Sequence, residues 1–500
     1  MKQFPTSYEI PCIYPQLQHS ASTVFVDVPG SKSITNRALL LATLADGTST
    51  LKGVLFSDDS RHFLSCIQAL GFETQVDEKK AIITIKGENG RIPLKEASQY
   101  VGSAGTAARF LTAVLGVSKG IYHMDASEQM KKRPMAPLLA SLKELGCEIR
   151  FEEKEGFFPF TLISHGFHTD HITVNIDHSS QFLSALLIAS CLSDKDMHIQ
   201  VEGSHGMAYI QMTEAMMQQF GVSISVAYPE ISSAPVFSVD SSETWHSSGK
   251  VSCSTSDSNS SGKVSCSTSD SNSSGKVSCG TSDSNTSSLS KNIPLYTIKK
   301  GQHYKALDYQ IEPDVSGACY FYAMGALLQL PILVHNVHFA SLQGDVAFLH
   351  VLEKMGCTVE DTSDGITLTP PSNGILHGVD IDMSSFSDQA ITLSAIAPFA
   401  DSPTTIRGIG HIRYQESNRM AAIVTELSKM GIRCEETESS LTIYPGMPKR
   451  SCVETYDDHR MAFSLIGLRA PGITILNPGC CKKTFENYFD LLFSFVNAFI

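Results

Sequence analysis

The sequence has no Cys-x-x-Cys pair and no cysteine–histidine cluster at zinc spacing, although it holds 13 cysteines. Nothing points to a metal site or a dithiol redox centre, so reduced thiols in a cytoplasmic protein are expected. It also lacks any apolar run of about eighteen residues, the length of a spanning helix. Met1 to Tyr14 carries one lysine and no apolar stretch of about seven, so no secretory leader is expected. Positive charge is scarce: 38 Lys and Arg against 51 Asp and Glu give a net charge of −13. That balance argues against nucleic acid or an anionic membrane as partner, without forbidding one local basic cleft.

What is present is enough apolar residue for a large interior. With 42% hydrophobic and 18% charged content, 500 residues exceed one ordinary core, and two or more domains are expected. The chain also repeats itself. Ile67-Gln-Ala-Leu-Gly71, Leu142-Lys-Glu-Leu-Gly146, Met217-Gln-Gln-Phe-Gly221, Leu352-Glu-Lys-Met-Gly356 and Leu427-Ser-Lys-Met-Gly431 each precede a β-rich run. Their glycines stand 75, 75, 135 and 75 residues apart, each where a left-handed helix C-cap is wanted. A sixth such helix is expected over 484–492.

A second, more apolar segment also recurs six times, from Arg37, Arg109, Phe182, Tyr320, Ile391 and Met461. These segments read as buried helices, and the Ser, Thr, Asp, Asn and Gly ahead of them as N-caps. Runs such as Ala81-Ile-Ile-Thr-Ile argue against an all-helical solenoid. The expected fold class is therefore α/β, with six units of two helices and strands between. The one long interval has a visible source: a 13-residue Ser-rich repeat from Ser247 returns at Ser260 and Ser273. Such a tract cannot build a core, so a disordered surface insertion without catalytic part is expected over about 241–292.

Polar groups fall at the same place in successive units. Pro29-Gly-Ser-Lys-Ser-Ile-Thr-Asn-Arg37 opens the first buried helix with Lys32, Ser33 and Arg37, where free N–H groups and cations suit a phosphate or carboxylate. Gly102-Ser-Ala-Gly-Thr-Ala-Ala-Arg109 repeats the design, small residues letting backbone approach a ligand around Gly105. Ser179, Ser180 and Gln181 lead the third helix, Asp388 the fifth and Tyr456-Asp-Asp-His-Arg460 the sixth. If the helices run parallel, these N-termini converge on one cleft. Arg419, Arg460 and Lys483 stand at helix starts, where a cation is misplaced unless an anion joins it. For Lys131, Lys132 and Arg413 a solvated surface position is expected.

These motifs, with Leu342-Gln-Gly-Asp345, Glu416-Ser-Asn-Arg419, Asp458-His-Arg460 and Lys483-Thr-Phe485, resemble those of the 5-enolpyruvylshikimate-3-phosphate synthase family of enolpyruvyl transferases. The similarity runs from about 24 to 492, broken only by the Ser-rich tract. It implies a two-domain inside-out α/β barrel of six βαβαββ repeats, three per domain. The upper domain would cover 30–313, and the lower 1–29 plus 314–500. It implies shikimate 3-phosphate at Lys32, Ser33, Arg37, Ser179, Ser180, Gln181, Asp388 and position 415. Phosphoenolpyruvate would meet Lys32, Gly105, position 129, Gln181, Arg419, Arg460 and Lys483. Asp388 would take the proton of the attacking 5-hydroxyl, and Glu416 or Lys32 would protonate the methylene carbon. A monomer needing no metal or organic cofactor is implied.

Two positions depart from the family pattern. Gln129 stands where an arginine is common before Met-Lys-x-Arg-Pro, and Gln415 where a lysine is common before Glu416. Each is expected to remove a charged contact, one towards phosphoenolpyruvate and one towards shikimate 3-phosphate. The segment from Gly203 to Tyr209 is one residue short, so no contact is transferred there. Two rivals stay open: the sister transferase acting on UDP-N-acetylglucosamine, and a non-catalytic binding paralogue. The sister enzyme would be expected to carry a cysteine over 121–134, and none is present.

Overall fold

A computed structural model describes residues 3–16, 22–177, 179–203, 206–228, 294–459 and 463–498. The Ser-rich stretch 241–292 and Arg460 lie outside the described residues.

Six small sheets carry the architecture, and they share one strand plan. In the sheet of Glu96–Tyr100, Lys119–Asp125, Glu148–Phe151 and Phe160–His165, the first two strands pair parallel. The second pairs antiparallel with the fourth, which closes antiparallel on the third. Four other sheets repeat this plan, and a three-stranded one shows it without the third strand. Three strands are borrowed across the chain, one of them Ser7–Ile10, which joins Ile473–Leu476. Val24–Val26 joins Ile332–His335, whereas Asp308–Gln310 joins Asp46–Lys52.

Those exchanges bring two connections side by side. Ser31 N–H donates to the Glu312 carbonyl at 2.8 Å, and Asp314 N–H to that of Pro29 at 2.8 Å. Gly30 is needed there, because a Cβ would run into the Gly53 carbonyl. Two hydrophobic clusters flank the crossing. One runs from Ile34 to Ile311; the other joins Ile10, Ile13 and Val26 to residues between Val315 and Val496.

The expected helices form for the expected reasons. Gly105–Val117 is buried along its whole length, and Lys32–Leu44 from Ile34 onward. Gly71, Gly146, Gly221, Gly356 and Gly431 all end helices with φ between 79° and 105°. The last helix begins later than expected, at Tyr488–Asn497 after a 3-10 turn at Pro478–Lys483. Thr484 (φ −139°) breaks the helical backbone so that Thr484 and Phe485 line the cavity. Among the described residues, no helix is long and apolar enough to cross a membrane.

Capping differs from expectation. The residues ahead of the six buried helices (Ser31, Ala104, Ser180, Asp314, Gln389 and Phe463) make no side-chain cap hydrogen bond. Ser57, Ser127 and Asn418 do cap theirs. The physical reason lies in where the buried helices begin.

Candidate active site

Four of those helices begin at the wall of one cavity of about 480 Å³. Lys32 and Ser33, Gly105 and Thr106, Gln181 and Phe182, and Ser316 and Gly317 bring four helix starts to it. Backbone N–H groups at such starts hold partial positive charge and favour an anion. Side chains add to this: seven Lys and Arg line the cavity against four carboxylates. A basic cleft thus sits in an acidic protein.

Of the residues singled out from sequence, Lys32, Ser33, Arg37, Gly105, Gln129, Ser179, Ser180, Gln181, Asp388, Gln415, Glu416 and Arg419 all line it. Lys483 stands just behind, donating to Gln129 Oε1 at 2.6 Å and to the Asp457 carbonyl at 3.0 Å. Lys32 Nζ lies 3.5 Å from Asp59 Oδ2. The Arg37 guanidinium is spent inside the protein, on Thr213 Oγ1 at 2.8 Å and the Ser33 and Tyr209 carbonyls. Burial lowers its pKa to about 10, so it stays charged at neutral pH.

Arg419 organises the carboxylates. Its side chain is buried, with Nε 2.8 Å from Asp458 Oδ2, Nη1 2.8 Å from Asp388 Oδ1 and Nη2 3.1 Å from Glu416 Oε2. Nη1 also donates to Gln415 Oε1. Asp388 receives a second bond at its other oxygen, from the Tyr209 hydroxyl at 2.8 Å. Accepting at both oxygens suits an ionised carboxylate placed to take a proton. Burial opposes charge on Glu416, but Arg419, Arg133, His459 and Lys32 outweigh it and hold its carboxyl well below the ordinary range.

Beside them further cations crowd together, Arg133 Nη1 lying 3.9 Å from Glu416 Oε1. Burial and then Arg133 push the pKa of Arg109 down. A Cβ on Gly105 would lie 2.7 Å from Arg109 Nη1 and 3.0 Å from Arg133 Nη1. Among the described residues, Arg109 Nε and Gln181 Oε1 are buried without a hydrogen-bond partner. Unpaired polar atoms and like charges in one wall are costly unless an anionic, hydrogen-bonding ligand completes them.

Several lining residues were not foreseen. Lys132 and Arg413 were expected in solvent yet line the cavity, whereas Lys131 is held by Asp125, Glu128 and Glu153 outside it. Arg133 and Tyr209 were not singled out either. The proline after Arg133 and the glycine-rich stretch before Tyr209 were the available signals.

Comparison with known proteins follows this geometry. The family model of EPSP synthase (3-phosphoshikimate 1-carboxyvinyltransferase) matches residues 19–246 and 290–492. The chain belongs to the EPSP synthase family. The 3-phosphoshikimate 1-carboxyvinyltransferase of Trichormus variabilis is 38% identical over 94% of this chain and 96% of its own. That of Nostoc sp. is 38% identical over the same shares. Among solved structures, EPSP synthase from Acinetobacter baumannii superposes with a TM-score of 0.69. It covers 98% of this chain and 97% of its own at 20% identity, which establishes likeness of fold. The six-repeat α/β architecture is thus that of an EPSP synthase.

Proposed function

We propose that this EPSP synthase family member transfers the enolpyruvyl group of phosphoenolpyruvate to the 5-hydroxyl of shikimate 3-phosphate and releases phosphate. The observation that carries the reading is the Asp388 carboxylate, held at both oxygens, in one cavity where cationic side chains outnumber carboxylates among the described residues. Shikimate 3-phosphate is assigned to Lys32, Ser33, Arg37, Ser179, Ser180, Gln181, Asp388 and Gln415. Phosphoenolpyruvate is assigned to Lys32, Gly105, Gln129, Gln181, Arg419 and Lys483, with Arg460 retained from sequence and Arg133 added for its place beside Gly105.

In the reaction, Asp388 accepts the 5-hydroxyl proton as that oxygen bonds to C2 of phosphoenolpyruvate. The methylene carbon takes a proton and becomes a methyl group. The Lys32 ammonium is the better donor at rest, because its neighbours keep Glu416 ionised. Loss of phosphate from the tetrahedral intermediate, with return of a methyl proton, gives the enol ether. Cations and helix N-termini offset the charge of both substrates throughout.

We assign residues 30–313 and 1–29 plus 314–500 to two domains that close on the substrates, in a monomer acting in the cytoplasm. The test is phosphate release from phosphoenolpyruvate with either shikimate 3-phosphate or UDP-N-acetylglucosamine as acceptor. Release with the first alone, lost in Asp388→Ala, is expected. Release with the nucleotide sugar alone, or with neither from folded protein, would sink the reading.

A further inference from the structure

We infer that Gln129 and Gln415 are positioning residues, each orienting one cation of the anion site through its amide oxygen. Gln129 holds the Lys483 ammonium, and Gln415 holds the Arg419 guanidinium. The inference rests on the functional reading above for what those cations bind.

Lys483 Nζ donates to Gln129 Oε1 at 2.6 Å, and Arg419 Nη1 donates to Gln415 Oε1. Ammonium and guanidinium groups have donors only, so both contacts force the amide oxygen towards the cation. The NH2 group is thereby turned away from the cation, and both residues line the cavity. Two glutamines on separate segments thus make the same bond to two different cations.

A neutral acceptor does here what neither charge could do. A cation at position 129 would repel the Lys483 ammonium, and a carboxylate would neutralise it and repel an incoming anion. At Lys483 the amide fixes the direction of one hydrogen and leaves the positive charge whole; at Arg419 it adds a neutral acceptor beside three carboxylates. The second Lys483 bond, to the Asp457 carbonyl, is also to a neutral oxygen. The expectation that each glutamine simply subtracts a contact is therefore replaced by a structural role.

Gln129→Met and Gln415→Met keep side-chain length and remove the amide. Each is expected to raise the KM for phosphoenolpyruvate about tenfold, the scale of one hydrogen bond to a charged group, and to raise it by more than kcat falls. Calorimetric Kd for inorganic phosphate, which needs no turnover, should weaken in parallel. A cycle then separates positioning from packing: in a Lys483→Met background, Gln129→Met should add no further loss. A loss of full size in that background, or unchanged KM and Kd in both single variants, overturns the inference. A wild type that releases no phosphate with shikimate 3-phosphate sinks the functional reading instead, and the phosphate-binding cycle still decides what the glutamines do.

Discussion

Arg419 shows how one residue sets the chemistry of its neighbours. It is 1% exposed and is bound by Asp388, Glu416 and Asp458 at once. Removing one member of a buried ionic network leaves the others uncompensated, so Arg419→Ala should lose about 3–5 kcal/mol of stability. Urea denaturation checks this, and a change below about 1 kcal/mol would place the network in effective solvent. Glu416 gives a pH signature. Its folded pKa is depressed below 4.5, so its stabilisation is full above the unfolded value and is lost as pH falls towards the folded one. Stability of the wild type should fall on acidification below about pH 4.5, and Glu416→Gln should flatten that slope. Equal slopes would mean that Glu416 is not held ionised by its neighbours. Glu416 and Arg419 were legible because they share a short motif. Tyr209 and Arg133 were not, since their partners lie far along the chain.

At the scale of elements, the buried helices lack the side-chain caps that Ser57 and Asn418 supply to two of the amphipathic ones. Four of them open on the cavity, where uncapped N-terminal groups suit an anion, and local rules fail at functional sites for this kind of reason. Gly105→Ala tests the closeness of one such start. A methyl group there meets Arg109 and Arg133 rather than core side chains, so the KM for phosphoenolpyruvate should rise about ten- to hundredfold through misplacement. The unfolding midpoint should move little; a large drop would make Gly105 a packing residue. A second element argument concerns the strands Ser225–Ala227 and Leu295–Ile298. They pair antiparallel, Ala227 opposite Leu295. The ends of the intervening chain therefore emerge side by side, and neither strand lines the cavity. A short turn in place of 229–293 should leave kcat/KM within about twofold, because loop-closure entropy changes slowly with length; a larger loss would give the Ser-rich tract a part in catalysis. The helix C-terminal glycines were readable one by one because a left-handed cap is a local demand. The delayed start of the last helix was not, because the cavity sets it.

The whole molecule adds what no single unit has. Two hydrophobic clusters flank the crossing at Gly30 and Pro313, and we place the hinge between the two proposed domains there. Small-angle scattering should show a smaller radius of gyration with shikimate 3-phosphate and phosphoenolpyruvate together than without them. An unchanged radius would indicate a site already closed. By itself the sequence determined the repeat, its period, the buried and amphipathic helices, the polar residues at their starts and the family. Each of these depends on neighbours a few residues apart or on a motif read in order. Only the tertiary structure decided which cations face the cavity, that Asp388 is held by Tyr209 and Arg419, and that the two glutamines accept from Lys483 and Arg419. The Tyr209–Asp388 and Lys483–Gln129 bonds join segments hundreds of residues apart, and even the nearer Arg419 contacts depend on side-chain directions, which packing of the six units fixes and local sequence does not.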